Sequence, residues 1–350
     1  MKLIRIDELK GDEVLAKPIM TWDYQLVLPE GATLKKEYIE KIIELGIFNV
    51  YIKEEELKQS EILILKSELK DNVRLKVKDI LERHTYQNNQ ELEELSNTAD
   101  NIIYTMLEEE QIVEKVFDIR ERSSDIYEHS ISTCSLAILT AMKLNVDKNI
   151  IHDIGVGCLL HDIGLRYTTV NFVGRALKDM SKQEAAEYKK HPVYGFSALK
   201  KEKWISKISK NIILYHHERL NGSGFPLRTG DIPFECRIVN VCDAFDEMIC
   251  GIACQRAKVY EAVEYLKNFK NILFDDKVVD VFLSFTAVYP IGTHVLTNEG
   301  ELGVVLSQNK NFNERPVIRI IKDKNGNDVK ETVIKNLMEI HSIYIEKVLD

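Results

Sequence analysis

No apolar stretch in this chain approaches the roughly 20 residues needed to cross a bilayer as a helix. The first residues, Met1–Lys2–Leu3–Ile4–Arg5–Ile6–Asp7, lack the basic start, long apolar run and small-residue cleavage site of a secretory signal. The expectation is a cytoplasmic protein with no membrane partner. Paired cysteines are missing as well. Cys134, Cys158, Cys236, Cys242, Cys250 and Cys254 never adopt a C-x-x-C spacing, which argues against a zinc knuckle. A cytoplasmic chain implies no disulfide framework either. Cys250 and Cys254 are four apart on a predicted helix, but their apolar surroundings read as buried core thiols. Excess positive charge is also absent. A net charge of −9 argues against a partner such as DNA or RNA, whose phosphates need a basic stripe. It leaves a small anionic substrate open, because bound divalent metals supply positive charge locally.

What is present is length enough, at 350 residues, for two or three compact units with a real core. Residues 1–57 read as a small α/β unit. Short strands are expected at 3–6, 25–28 and 49–52, with a turn at Pro29–Glu30–Gly31 and a helix over 34–45 capped by Gly46. From about 54 to 97 the chain is rich in Glu, Lys and Leu and has no proline or glycine, so 58–97 reads as a helical linker. Its charge runs are most simply solvated helix faces. The same stretch suits a coiled-coil contact that would make a homodimer. Residues 98–288 read as nearly all helix, broken near Gly164, at 190–192 and at the loop 221–233. Beyond Pro290 the pattern turns to β segments at 293–296, 303–306 and 316–321, separated by Asn/Gly turns, so 289–350 forms a small β-rich appendage. The fold class is therefore mainly α.

Six of the nine histidines (His129, His152, His161, His191, His216 and His217) fall within 89 residues, where random placement gives about two. The tetrapeptide His-Asp-Ile-Gly occurs twice, at 152–155 and 161–164. Nine residues at roughly 100° each make two and a half turns, so the copies face opposite sides of one helix and cannot serve one site. His161 follows the apolar Cys158–Leu159–Leu160 at a helix end, whereas His152 follows the solvated Asp147–Lys148–Asn149. The site is therefore assigned to His161–Asp162, and His152–Asp153 to an exposed chance match. Imidazole and carboxylate both suit iron, manganese or zinc, and an aspartate can bridge two metals about 3.5–4 Å apart. Such a pair suits phosphate-ester hydrolysis, where catalysis is mostly positioning and charge neutralisation.

Other candidates sit at compatible places. Asp125 and His129 share a helix face. His191 precedes Pro192 at a helix start. His216 and His217 end a helix; adjacent helical residues diverge by about 100°, so both reach metals only beside a wide multi-metal site or at a frayed end. Asp243 is an acid amid apolar residues, and a metal partner accounts for its burial. Any one of these histidines alone reads as an ordinary core or surface residue. The whole set is harder to dismiss.

The order His129, His161–Asp162, His191, His216–His217 and Asp243, with the loop from Glu218 to Pro226, resembles the HD-GYP branch of the HD-domain phosphohydrolases. The resemblance covers about 120–285. It implies an all-helical domain with two or three divalent metals, most often iron with manganese or zinc as alternatives. The reaction it implies is hydrolysis of cyclic di-GMP to pGpG and on to GMP. Carried over by position, His129, His161, Asp162, His191, His216, His217 and Asp243 are the metal ligands. Asp162 bridges, His161 and Asp162 are the catalytic pair, and Asp125 is an extra acidic ligand linked to a third metal. The resemblance also places Asn221, Gly222, Ser223 and Gly224 beside the substrate, with Arg166 and Arg256 as candidates to grip it. Three departures stand out. Leu165 replaces the lysine expected after His-Asp-Ile-Gly, Asn221 and Phe225 replace the aspartate and tyrosine of the loop, and the Arg-Pro-Tyr element is missing around 250–257. They leave two alternatives to a cyclic di-GMP phosphodiesterase: a degenerate sensor of cyclic dinucleotide or metal, and a hydrolase of another phosphate ester.

Overall fold

The computed structural model describes residues 2–5, 9, 11, 13–16, 18–20, 26–44, 49–52, 77, 96–101, 126–309 and 312–349. The chain divides into two compact units, Met1–Ile62 and Leu63–Asp350. In the first, β1 (Lys2–Arg5) pairs antiparallel with β4 (Asn49–Ile52), and β2 (Ile19–Met20) with β3 (Leu26–Leu28). The helix α1 (Lys36–Glu44) contributes Ile42 to a core shared with Leu15, Ile19, Leu34, Val50 and Ile52. Gly31 takes a positive φ of 80° in the expected turn.

The second unit is mainly helical and ends in a sheet. Its central helix α2 (Ile126–Lys143) is buried on nearly every side. Ser and Thr are poor interior residues unless their hydroxyls are satisfied. Here Ser130, Ser135 and Thr140 donate to the carbonyls one turn back, of Ile126, Ile131 and Leu136, at 2.9, 2.9 and 2.7 Å. Helix α3 (Lys148–Leu160) starts at Asp147, whose carboxylate accepts from the Asn149 amide at 2.8 Å. It packs closely because Gly157 faces Ile212; a Cβ there would lie 2.8 Å from the Ile212 Cδ1. A 3-10 turn (Ile163–Tyr167) follows, then α4 (Lys182–Tyr188), α5 (His191–Leu199), α6 (Lys207–Tyr215) and α7 (Phe234–Cys250). Helix α7 ends at Gly251, left-handed with φ 74°. Then come α8 (Val259–Asn268) and α9 (Asp276–Phe285). Their apolar faces meet α2, α3, α6 and α7 in one core that includes Ile138, Leu160, Ile212, Phe245 and Phe282. Among the described residues no helix is long and apolar enough to cross a membrane.

The terminal sheet is five-stranded and antiparallel: β5 (His294–Thr297), β6 (Leu302–Asn309), β7 (Phe312–Lys322), β8 (Asp328–Asn336) and β9 (Ile345–Val348), in the order β8-β7-β6-β5-β9. Gly303 pairs with Ile320 and Val305 with Ile318. Val295, Val305, Ile318, Ile320, Leu337 and Ile343 form its core. Strands β8 and β9 are additions to the sequence reading. Asp125 and nearly all of 58–97, with the dimer contact expected there, lie outside the described residues.

Candidate metal centre

Four helix ends and one helix interior converge on one buried point. His129 projects from the first turn of α2 and Asp243 from the middle of α7. His161 closes α3, and Asp162 follows at φ −94°, ψ 7°, off the helical path. That change of direction lets adjacent side chains converge, which a regular helix forbids. His161 Nε2 is 3.4 Å from Asp162 Oδ2. His191 is the first residue of α5, with Pro192 in the first turn. His216 and His217 lie just past α6, their rings 4.2 Å apart. Gly164 permits this convergence, since a Cβ there would overlap the His191 carbonyl oxygen and approach the Gly195 amide nitrogen to 2.7 Å. All seven side chains are buried, at most 6% exposed.

The two oxygens of Asp162 face different partners. Oδ2 meets His161 and, at 3.8 Å, His129 Nε2. Those two rings also meet Asp243 Oδ1, at 3.1 Å from His129 and 3.3 Å from His161. Oδ1 faces His191 Nε2 at 3.2 Å and His216 Nε2 at 3.7 Å. The atoms thus form two groups joined through one carboxylate: His129, His161 and Asp243 on one side, and His191, His216 and His217 on the other.

The hydrogen bonds at the far side of each ring decide its tautomer. His161 Nδ1 donates to the Cys158 carbonyl at 2.6 Å, His191 Nδ1 to the Tyr188 carbonyl at 2.8 Å and His216 Nδ1 to the Ile213 carbonyl at 3.0 Å. A carbonyl only accepts, so each proton sits on Nδ1 and each neutral ring turns an Nε2 lone pair inward. His129 Nδ1 likewise bonds Asp246 Oδ2 at 2.8 Å. Yet Nε2 of His191 and His216 lie 3.0 Å apart, and Nε2 of His129 and His161 lie 3.3 Å apart. Two lone pairs at that separation repel unless a cation stands between them. The donor set therefore fits two divalent cations, with imidazole and carboxylate ligands suited to iron, manganese or zinc.

Without a metal, the electrostatics divide the two histidine groups: against the pull of burial, carboxylates raise His129 and His161, whereas burial lowers His216 and His217. Burial opposes charge on Asp162 and Asp243, but neighbouring histidines hold both carboxyls well below the ordinary range. Burial, with His161 nearby, pushes His216 down to about 3, and burial with His216 lowers His217 further below its usual value. Burial also opposes a proton on His129, but hydrogen bonds to Asp243 and Asp246 raise it.

The substrate-side candidates take varied places. Arg166 shares a small hollow with Asp162, Ile126, Tyr127 and Ser130. Asn221 Oδ1 accepts from the Ser223 amide at 3.0 Å, closing a turn in which Gly222 has φ 74°. Gly224 presses against the His217 and Glu218 backbone, where any Cβ would clash, and the Phe225 amide donates to the His217 carbonyl at 3.2 Å. This loop is thus pinned beside the second histidine group, and the Phe225 ring lies 4.4 Å from that of His217. Arg256 is exposed and packs beside Gly251 at the end of α7. Leu165 is buried in an apolar cluster with Met180, Tyr188 and Ala253. His152 is half-buried rather than exposed, its Nε2 2.9 Å from Ser96 Oγ, and stands apart from the centre. Cys250 is buried and Cys254 half-buried, their thiols bonded to Asp246 Oδ2 and the Glu247 carbonyl.

Three residues the sequence reading did not single out shape the site. Asp246 orients His129 from behind, the arrangement that fixes metal-bound histidines. The buried Glu218 accepts from the amides of Leu227, Arg228 and Thr229 at 2.5, 3.0 and 3.0 Å, tying down the loop. Tyr188 is buried against His191, and its hydroxyl has no hydrogen-bond partner among the described residues. The only sequence signal for Asp246 is its three-residue spacing from Asp243 on one helix face.

Residues 77–278 match the family model of the HD domain, and residues 294–350 that of a KOW domain associated with HD domains. A cyclic di-GMP phosphodiesterase of Pseudomonas aeruginosa is 27% identical over 216 residues, 61% of this chain and 52% of that protein. A cyclic di-GMP phosphodiesterase response regulator of Xanthomonas campestris is 31% identical over 152 residues, 42% of this chain and 40% of that one. The chain thus spans about half the length, or less, of these curated relatives. Among solved structures, Bd1817, an HDG"Y"P protein from Bdellovibrio bacteriovorus, superposes with a TM-score of 0.56 at 20% identity, covering 80% of this chain and 97% of that one. At that identity the likeness is one of fold. With the family model spanning more than half its length, this chain belongs to the HD-domain family.

Proposed function

We propose that the protein is a metal-dependent phosphodiesterase that hydrolyses cyclic di-GMP to pGpG and on to GMP. The observation that carries this reading is the pair of facing Nε2 couples with Asp162 spread between them. His129, His161, Asp162 and Asp243 would hold one cation, and Asp162, His191, His216 and His217 the other, with iron favoured. When bound, such cations polarise phosphoryl oxygens and lower the pKa of water. The chain's own groups do the positioning. Asp162 fixes the spacing of the two groups. Asp246 holds His129 in one tautomer. Arg166, bordering the hollow of Asp162, is placed to meet a phosphate oxygen. The loop of Asn221, Gly222, Ser223 and Gly224 borders the entrance beside His217. The half-buried Phe225 ring walls that side, backed by the buried Tyr188, and is the apolar face on which a flat base can stack.

The burial of Leu165 favours a second reading. Its pocket is filled by apolar packing, so core stands where the family resemblance expects a cationic lysine. A protein with an intact ligand set and a weakened grip could serve as a cyclic-dinucleotide sensor. Purification without oxygen, metal counting and chromatography of cyclic di-GMP separate the two. The expected result is at least two cations per chain and linear product, with turnover lost in His161→Ala. Tight binding without product would favour the sensor. Neither binding nor turnover of cyclic di-GMP, with hydrolysis of another phosphate ester, would move the substrate assignment.

A further inference from the structure

Asp243 points only one of its oxygens at His129 and His161. The other, Oδ2, is buried and has no hydrogen-bond partner among the described residues. His217 Nε2 is buried in the same condition. These two orphaned atoms border one place. His217 Nδ1 lies 3.7 Å from Asp243 Oδ2, and His217 Nε2 lies 3.9 Å from Glu247 Oε1. Glu247 follows Asp243 by one turn of α7, so both carboxylates project from one helix face. One ligand atom each from His217, Asp243 and Glu247 fall within 4.8 Å of one another. Phe225 packs against the His217 ring and limits its swing.

Brought together without a cation, the two carboxylates and the imidazole leave two buried polar atoms unsatisfied. We propose that Glu247, with Asp243 Oδ2 and His217, forms a further divalent-cation position beside the two already described. The inference rests on the metal-centre reading above but does not depend on the substrate. The donors suit manganese, iron(II) or zinc. Asp243 then plays the part that Asp162 plays on the other side, each carboxylate spanning two positions. His217 lies within reach of two groups, and a neutral imidazole offers one lone pair, so it serves one position at a time. Glu247 supplies an acidic ligand for a third ion from within the described residues, independently of Asp125.

The test counts ions on the full chain, stripped of metal and dialysed without oxygen against graded free Mn2+. The wild type is expected to saturate at three ions and Glu247→Gln at two, with the affinities of the remaining two little changed. Glu247→Asp, which keeps the charge but draws it back, is expected to retain the third ion with an affinity lowered about tenfold. A wild type that saturates at two ions overturns the proposal whatever the variants do. So does a folded Glu247→Gln that binds as many ions as the wild type, as tightly. A wild type that binds no Mn2+ at its histidines overturns the metal-centre reading as well, so the two failures are told apart.

Discussion

The two copies of His-Asp-Ile-Gly share four residues and almost nothing else. The first lies inside α3, where the helical step sends His152 and Asp153 to neighbouring faces. His152 reaches Ser96, Asp153 stays partly exposed, and Gly155 is a contact point for Ala99 and Ile138. The second copy straddles the end of the same helix. His161 caps the helix just after Leu160, Asp162 leaves the helical path, and Gly164 admits the His191 backbone. Identical local sequence becomes a packing patch in one place and the hinge of a metal centre in the other. The difference lies in where the helix stops.

The largest contrast is expected from removing each histidine. His161→Ala should lose at least one bound cation and all detectable hydrolysis of cyclic di-GMP. His152→Ala should keep both and cost only about 1 kcal/mol in a denaturant melt, for its bond to Ser96. Equal losses from both would break the comparison. The glycines come next. Gly164→Ala should destabilise by about 3 kcal/mol or more and weaken metal binding, since the new methyl would overlap the His191 carbonyl. Gly155→Ala places a Cβ 3.1 Å from the Ala99 Cβ, a milder crowding offset by about 1 kcal/mol of helix propensity, so its net change should stay within about 1 kcal/mol. Thermal melts with and without metal would report both.

A smaller effect is expected behind the ligands. Asp246→Asn should raise the Mn2+ dissociation constant about 10- to 100-fold by loosening His129, whereas Asp153→Asn should leave it unchanged. The smallest is a pH effect on the metal-free chain. His216 falls from 6.5 to about 3 on folding, so between those values the unfolded chain binds the extra proton. That contribution to stability is present above pH 6.5 and is lost as the pH drops toward 3. Melting temperature against pH, for the wild type and His216→Gln, would show whether the acid-side decline shrinks in the variant.

Much of the site was legible because it depends on helix phase and helix ends. The nine-residue spacing separates the two tetrapeptides, and the apolar run before His161 marks the buried end. The adjacent His216 and His217 signal a helix terminus, and they lie just past Tyr215. What was not legible depends on tertiary neighbours. Asp243 stands out by its apolar flanks, but Asp246 and Glu247 lie within one turn of it on α7, and spacing alone does not tell that they face histidines or from which side. Leu165 stands out as a departure, but its role as filler for Met180, Tyr188 and Ala253 requires the fold. Strand β8 (Asp328–Asn336) escaped notice because Lys, Glu and Asp punctuate it, as an edge strand tolerates.

The most direct test of the central claim is anomalous diffraction from crystals grown without oxygen, collected at the iron and manganese absorption edges. The account predicts one peak between the Nε2 atoms of His129 and His161 and another between those of His191 and His216. Each should lie about 2.1 Å from its nitrogens, with Asp162 reaching both. Nε2 pairs that remain 3.3 and 3.0 Å apart with no peak between them, or metal found only beside His152, would contradict it.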